Sequence, residues 1–215
     1  MKKIICALIA AMLLLGCACA DGVSTKKWQH EAGWTAFSLA LSQEELDETW
    51  EKAAEAFGER MGMKDLEPER LKAMMLQGYS MENGVDELTV KGSRLTGRNA
   101  DGTEVFSFKY TWVETLKDKN ILGGRKVHVF RTKEKNAGNY QWLLMTEPVK
   151  TEGEDGAYTT FNLICTGKKD YRKLFKKGKM GSAVIPCTMI EKDTGMEGLT
   201  FAVERLFAAP AVSVQ

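Results

Sequence analysis

Apolar positions recur at helical spacing over the first third of the chain that follows its N-terminal segment. They are Leu46, Trp50, Ala53, Ala54, Phe57 and Met61. Ser42-Gln43-Glu44-Glu45 has the pattern of a capping box, which predicts the start of this helix. Pro68 is a favoured first-turn residue and predicts a second helix, which ends near Gly78.

From Val85 onward the apolar spacing changes to that of β-strands. Val105–Val113 alternates, so that Phe106, Phe108, Tyr110 and Trp112 share one face that we expect to point inward. Tight turns separate this run from others of similar length. The other predicted strands are Glu87–Val90, Ser93–Arg98, Lys126–Thr132, Tyr140–Met145, Tyr158–Cys165, Ser182–Ile190 and Leu199–Phe207. The pattern predicts a mainly β protein, an antiparallel up-and-down barrel with N-terminal helices and a short helix before the last strands.

The stretch 139–167 predicts a strand, an acidic loop and a second strand. The loop holds Glu147, Glu152, Glu154 and Asp155, with a proline and glycines that interrupt regular structure. Four carboxylates in such a loop are either solvated or the edge of a metal site. By ligand chemistry, a site made only of carboxylates suits Ca²⁺ better than Zn²⁺.

Basic side chains dominate the segment 168–179, KKDYRKLFKKGK. Tyr171, Leu174 and Phe175, followed by Gly178, predict a short helix with a glycine C-cap. Such a helix either docks by its aromatic side or rests on anionic lipid headgroups. Residues 208–215 are expected to form a flexible tail.

The N-terminus has the features of a bacterial lipoprotein signal. Lys2 and Lys3 precede the apolar run Ile4–Leu15, which is too short to span a membrane, and Leu14-Leu15-Gly16-Cys17 resembles a lipobox. We expect a signal peptide over 1–16, lipidation at Cys17 and a tether over 17–27. The protein would then be exported and anchored to a bacterial membrane, facing the periplasm or the cell exterior. Cleavage after Ala20 is the alternative and would leave a secreted soluble protein.

Composition narrows the classes of function. The chain has 215 residues, 44% hydrophobic content and a net charge of +1, which fits a globular protein and gives no indication of nucleic-acid binding. No metalloprotease, serine-hydrolase, P-loop or dinucleotide fingerprint occurs, so we expect a binding protein rather than an enzyme.

Cys165 and Cys187 lie in neighbouring predicted strands of an exported chain. They form either a disulfide, which would contribute about 3 kcal/mol in the chain-entropy model, or two buried thiols. No Cys-x-x-Cys motif occurs to indicate a structural zinc site.

Histidine and methionine are the remaining candidates for metal ligands. His128 lies in a predicted strand, and His30 lies between Trp28 and Trp34. His30, His128 and Glu147 can converge only if the N-terminal segment folds across the mouth of the barrel. Five methionines cluster within one third of the chain and predict either core packing or a soft Cu(I) site; they are Met61, Met63, Met74, Met75 and Met81.

Several short motifs, in their order, resemble the ZinT family of bacterial periplasmic zinc-binding proteins. They are Leu46-Asp47 followed by Trp50, Gly78-Tyr79, Lys109-Tyr110, and the strand-loop-strand-Gly arrangement of 139–167. The resemblance runs from about Trp28 to Phe207 and implies a calycin (lipocalin-like) domain over 28–207. It also implies zinc as the bound ion. The family has a loop His and a His-Phe-His motif, and Glu147, Thr160 and Asn162 stand at the equivalent positions here.

Two functions therefore remain open. The first is an exported, lipid-anchored protein that binds or handles a divalent metal, zinc above all. The second is a calycin barrel without metal, which binds a protein partner or holds a small apolar ligand. An interior cavity lined by Phe106, Phe108, Trp112 and Trp142 would favour the second function.

Overall fold

The computed structural model describes residues 23–63, 66–79, 84–117, 122–175 and 186–207. The described residues therefore do not include the predicted signal peptide, Cys17, Met81, Gly178 or the C-terminal tail. Four helices are present in the described ranges: α1 Phe37–Ala40, α2 Asp47–Met61, α3 Pro68–Gln77 and α4 Met196–Phe207. The strands are β1 Trp34–Ala36, β2 Glu87–Lys91, β3 Arg94–Arg98, β4 Glu104–Lys109, β5 Thr111–Leu116, β6 Val127–Arg131, β7 Trp142–Thr146, β8 Val149–Gly153, β9 Gly156–Thr166 and β10 Cys187–Glu191.

All strands join one antiparallel sheet that curls into a nearly closed barrel. The order is β4-β3-β2-β1-β10-β9-β7-β6-β5, and β8 pairs with β9 beside this path. Strands that are neighbours in the sheet are also consecutive along the chain except at two places, where β1 pairs with β10 and β7 pairs with β9. This order confirms the up-and-down barrel. The path begins at β4 and ends at β5, and only Tyr110 separates these two strands along the chain.

Inward-facing side chains fill the barrel. Phe106 and Tyr110 are buried, and Phe108 and Trp112 pack partly buried against the same cluster, as the alternation of 105–113 predicts. The expectation that Trp142 joins them is wrong. Trp142 lies on the outer face of β7, where its ring meets that of Tyr171 at 4.9 Å between centroids. The cavity predicted from these four aromatic residues is therefore not present as one interior space.

Helices cover part of the outer surface of the barrel. α2 and α3 confirm the two predicted helices, and Pro68 is the first residue of α3 as expected. The capping box does not form, because Ser42 Oγ donates a hydrogen bond to Leu39 O instead. Within the described ranges, no helix is long and apolar enough to cross a membrane.

Two of the predicted strands differ in the structure. The run 105–113 is divided at Tyr110 into β4 and β5, since the backbone of Tyr110 pairs across to Ser93 O at 2.8 Å. The residues Leu199–Phe207, predicted as the last strand, belong to α4. Their apolar positions face the outer side of β10 around Ile190 and the other helices.

The methionines of the helical region are not core residues as a group. Met61, Met63 and Met74 are each more than half exposed, so the prediction of core packing is wrong for them. A second apolar cluster, which we call the helix–sheet cluster, lies between the helices and the outer side of β10 and includes Phe37, Leu41, Trp50, Ile190 and Leu199. Met75 packs partly buried against it and fits the prediction.

Cys165 and Cys187 are not joined by a disulfide; Cys187 is buried and Cys165 is partly buried. Cys187 pairs across the sheet with Leu163, two residues before Cys165. Diagonal neighbours of this kind lie about 7–8 Å apart, beyond the usual span of a disulfide. Burial raises the pKa of the Cys187 thiol to about 12.

The basic segment begins as a short 3-10 helix, Tyr171–Phe175, which docks by its aromatic side. Tyr171 stacks near Trp142 and donates a hydrogen bond to the Glu114 carboxylate, which also pairs with Arg172. Docking on the protein surface, one of the two alternatives, thus accounts for the described part of this segment.

Candidate metal centre

Residues 23–33 form a strap across one end of the barrel, which we call the barrel mouth. At this end β7 stops at Thr146, β10 stops at Glu191, and β1 begins at Trp34. The first attachment of the strap is Thr25, whose Oγ1 donates to Gly92 O at 2.5 Å. The N-terminal segment therefore folds across the mouth, which was the condition for its side chains to meet those of the barrel.

Trp28 closes the mouth at the centre of the strap. Its side chain has no exposed surface, and its ring stands edge-on to Phe130 with centroids 5.5 Å apart. The indole nitrogen donates to Thr146 O at 2.8 Å, and the carbonyl of Trp28 accepts from Trp34 Nε1 at 2.7 Å. An indole buried with its polar nitrogen satisfied binds the strap firmly to the barrel.

His128 points from β6 into the barrel beneath this tryptophan. Its Nε2 lies 3.1 Å from Glu147 Oε1, and its Nδ1 lies 2.9 Å from Thr115 Oγ1. Lys27 of the strap donates to the same Glu147 oxygen at 2.5 Å. Two of the sequence candidates, His128 and Glu147, are therefore in contact.

A bulge in β5 places Thr115 on the inner face. The register between β5 and β6 shifts between Trp112 and Glu114, so Val113 has no partner and is 42% exposed. In a strand of the same sequence without a bulge, alternation would place Thr115 on the face opposite to that of Trp112. The shift therefore brings Trp112 Nε1 within 3.3 Å of Thr115 Oγ1, on the same face as His128.

The hydrogen-bonding roles in this network follow from its charges. The hydrogen bond from Lys27 holds the pKa of Glu147 below its ordinary value, so this carboxylate is ionised and can only accept. Burial lowers the pKa of His128, which favours the neutral ring. Nε2 then carries the hydrogen given to Glu147, and Nδ1 accepts from Thr115. Glu147 therefore accepts from both Lys27 and His128, and His128 also accepts from Thr115.

His30 lies elsewhere on the strap, beside the end of β10. Its Nε2 is 3.7 Å from Glu191 Oε1, and its Nδ1 is 3.6 Å from Asp193 Oδ1. One nitrogen and one oxygen from each carboxylate lie within 4.8 Å of one another, and this is the group of three such side chains that the described residues bring together. His30 thus does not join His128 and Glu147.

Zinc fits this group on two grounds. Contacts of 3.6–3.7 Å are too long for hydrogen bonds. They involve different ring nitrogens, so one zinc would take a single nitrogen of His30 with one oxygen of each carboxylate, a set of atoms that lie within 4.8 Å of one another. His30 Nδ1 is inaccessible to solvent and has no hydrogen-bond partner among the described residues. The Asp193 side chain is 59% exposed, so the surrounding protein leaves room for its carboxylate to adjust to an ion.

Thr160 and Asn162, the family-equivalent positions, do not reach either group. They share the outer face of β9, since Phe161 between them is buried in the barrel interior. The Asn162 side chain accepts from Thr188 Oγ1 at 3.0 Å, and its backbone N–H donates to Thr146 Oγ1. Asn162 therefore hydrogen-bonds to both neighbouring strands, β10 through its side chain and β7 through its backbone N–H.

The acidic loop is a hairpin rather than an irregular loop. β8 pairs with the start of β9 from Val149 to Gly153, leaving Glu154 and Asp155 in the turn. Glu152 forms an ion pair with Lys150, two residues earlier on β8. Glu147 lies outside the hairpin, at the barrel mouth. The described structure therefore separates Glu147 from the other three carboxylates.

Glu191 and Asp193 were not found by reasoning from the sequence. Their nearness to His30 depends on the register Trp34↔Glu191, which joins strands from opposite ends of the chain. The signal that could have pointed to them is the pair of carboxylates at i and i+2, just where a strand ends.

Solved structures with this fold include two that contain zinc. Zinc-bound AdcA from Streptococcus pneumoniae matches 85% of this chain and 35% of its own length, with 17% identity and a TM-score of 0.53. The zinc-bound ZinT-like domain of the same AdcA matches over 88% of this chain and 93% of that domain, with 15% identity and a TM-score of 0.51. The chain therefore spans about a third of AdcA and nearly the whole of its ZinT-like domain. No protein-family model and no curated protein sequence matches the chain.

At this level of identity the likeness establishes the fold, which is that of a ZinT-like barrel. The fold predicted from the sequence resemblance is thus confirmed, while the metal ligands have to be assigned from this chain's own residues.

Proposed function

We propose that the protein binds a divalent metal ion, zinc first among them, at the mouth of its barrel. The observation that carries the proposal is the convergence of His30 with Glu191 and Asp193. The ZinT-like fold, seen in two zinc-bound structures, supports the same class of function. The proposed role is that of a binding protein rather than an enzyme.

The ligand set favours zinc over harder ions. An imidazole nitrogen together with carboxylate oxygens is typical of zinc, whereas Ca²⁺ and Mg²⁺ prefer oxygen ligands alone. Three protein ligands leave one tetrahedral position for water or an exchangeable ligand. Two carboxylates also balance the charge of a divalent ion. Such an open site suits capture and release of the ion.

The location we propose is outside the cytoplasm. The Leu14-Leu15-Gly16-Cys17 sequence supports export with lipid attachment at Cys17, which would hold the barrel close to a membrane surface. Metal handling at that location is consistent with a tether of about six residues, 17–22, before the strap.

The test is calorimetric titration of zinc into the chain that starts at Asp21, beside the Asp193→Asn variant. We expect a dissociation constant in the micromolar range or below for the natural chain. Loss of one charged ligand should weaken binding at least tenfold, which corresponds to about 1.4 kcal/mol. Asp193 is exposed, so the substitution should not disturb folding.

The matched control is Asp155→Asn, the same chemical change at an exposed turn on the β8–β9 hairpin. It should bind zinc as the natural chain does. Equal affinity in all three proteins would reject the proposed ligand set, and absence of binding in the natural chain would reject the function.

A further inference from the structure

The strap carries both a proposed metal ligand and the residue that closes the barrel. His30 lies two residues after Trp28, within a segment of eleven residues that crosses the mouth. Glu191 and Asp193 belong to the barrel side, at and just after the end of β10. A metal held by all three side chains would therefore connect the strap to the barrel.

Backbone hydrogen bonds join neighbouring residues of the strap, and join the strap to the barrel, on either side of His30. The amide of Gln29 donates to Lys26 O and that of Gly33 donates to His30 O, both at 3.1 Å. The carbonyl of Gly33 in turn accepts from Lys192 N at 3.0 Å, between the two carboxylate ligands along the chain. Displacement of His30 would therefore disturb the backbone contacts of the strap on either side.

Beneath the strap lies apolar surface that its departure would expose. A cavity of about 320 Å³ is lined by residues 23–26 of the strap and by Tyr110, Trp112 and Phe130 of the barrel. Trp28 fills the space next to it and covers His128 with ring centroids 5.5 Å apart. An open strap would leave these aromatic side chains facing water, which disfavours the open state.

We propose that metal binding and closure of the barrel mouth are one coupled equilibrium: the ion at His30, Glu191 and Asp193 locks the strap over the barrel. The inference rests on the proposed metal site and adds its regulation. With the strap open, only the two carboxylates remain in place and the ion is released. With the ion bound, opening must first break its bond to His30.

The coupling has a defined size. A ligand that binds only the closed form suppresses opening by the factor 1 + [L]/Kd. At a zinc concentration one hundred times the dissociation constant, opening of the strap should therefore become about one hundredfold rarer. By reciprocity, any change that loosens the strap enough to populate the open form weakens metal binding.

Amide hydrogen exchange on the purified protein, with and without zinc, tests the proposal. The amide of Lys192, bonded to Gly33 O, and the indole N–H of Trp28, bonded to Thr146 O, should exchange up to about one hundredfold more slowly with zinc, because strap opening breaks both hydrogen bonds. The amide of Gly102, bonded to Asn99 O in the β3–β4 turn, provides the internal reference and should not respond.

A pair of variants separates the strap from the ligands. Lys27→Met removes the strap's ion pair with Glu147 but no metal ligand, and the pair is 38–50% exposed. Strap exchange should become about two- to fivefold faster with or without zinc, so the ratio produced by zinc remains. Lys26→Met, the same change one residue earlier, should leave strap exchange unaltered.

The outcomes distinguish the inference from the function on which it rests. Zinc binding with slower exchange in the strap supports the coupling. Zinc binding measured by calorimetry, with unchanged exchange at the Lys192 amide and the Trp28 indole, overturns the coupling and leaves the metal site standing. No zinc binding overturns both.

Discussion

His128 illustrates at the scale of one residue what the sequence could and could not reveal. Its place in a strand follows from the sequence, and Glu147 stood among the candidates, but the sequence left the direction of the His128 side chain open. Its actual partners also include Thr115, which reaches it only because of the bulge at Val113. A bulge adds one residue without a sequence signature of its own, so this contact could not be read from spacing.

A buried neutral histidine gives stability a definite dependence on pH. Burial lowers the pKa of His128 below its ordinary value of 6.5, against the opposing effect of Glu147. The unfolded chain therefore takes up the proton at a higher pH than the folded protein does. Stability falls as the pH drops below about 6.5, by at most about 1.4 kcal/mol per pH unit for this one group.

The check is the free energy of unfolding in urea at pH 7.5, 6.5 and 5.5 for the natural protein and His128→Gln. Glutamine can still donate to Glu147 but does not titrate, so the variant should show a shallower fall. Parallel pH profiles for the two proteins would show that His128 is not the group responsible.

The proposed metal ligands show the same limit in another form. His30 could be named from the sequence because histidine is rare in this chain, with two in 215 residues. Glu191 and Asp193 are two of 29 acidic residues, and nothing local distinguishes them. Only the pairing of β1 with β10 selects them.

At the scale of elements, α4 is where the sequence-based prediction failed. Leu199, Ala202, Val203 and Leu206 recur at i, i+3, i+4 and i+7, and all four pack against the helix–sheet cluster. Phenylalanine and valine in the same run favoured a strand by propensity. Burial of these side chains against the outer face of the barrel favours the helical conformation instead, because tertiary packing overrides weak propensity.

α4 lies against β9 through a glycine, which gives a test of this packing. A Cβ on Gly198 would come within 2.4 Å of Ala157 O, a backbone atom that cannot turn away. Gly198→Ala should therefore push the helix off the strand and destabilise the protein by about 1–3 kcal/mol in urea unfolding.

Gly195→Ala, just before the helix begins, is its matched control. An added Cβ there meets nothing within 4 Å, and the change should stay within about 0.5 kcal/mol. If both substitutions were equally mild, the close contact between α4 and β9 would be in error.

At the scale of the whole molecule, the fold was the most predictable feature. Strand after strand alternates between apolar and polar positions, and tight turns limit the pairing to neighbours, so an up-and-down barrel follows from many weak signals that agree. The site depends on a few side chains and on the path of the strap, where one difference changes the result. This explains why the fold was confirmed while the family-equivalent positions Thr160 and Asn162 lie on the outer face of β9.

The attachment of the molecule to a membrane is the remaining prediction at this scale. In a bacterial host, Cys17→Ser should abolish incorporation of labelled palmitate and move the protein from the detergent phase to the aqueous phase. Cys19→Ser should leave both properties intact, because it lies outside the lipobox. Retained label in the Cys17 variant would contradict lipidation at that residue.

The pairing of β1 with β10 also governs when the protein can fold. Residue 34 takes its partner from residue 191, so the sheet lacks a central ladder until almost the whole chain has been synthesised. Contacts between residues so distant along the chain form slowly, because the long intervening segment must be ordered first. A chain still emerging from the ribosome therefore holds an incomplete sheet. This delay would favour the export that we propose, because passage through a narrow channel requires an unfolded chain.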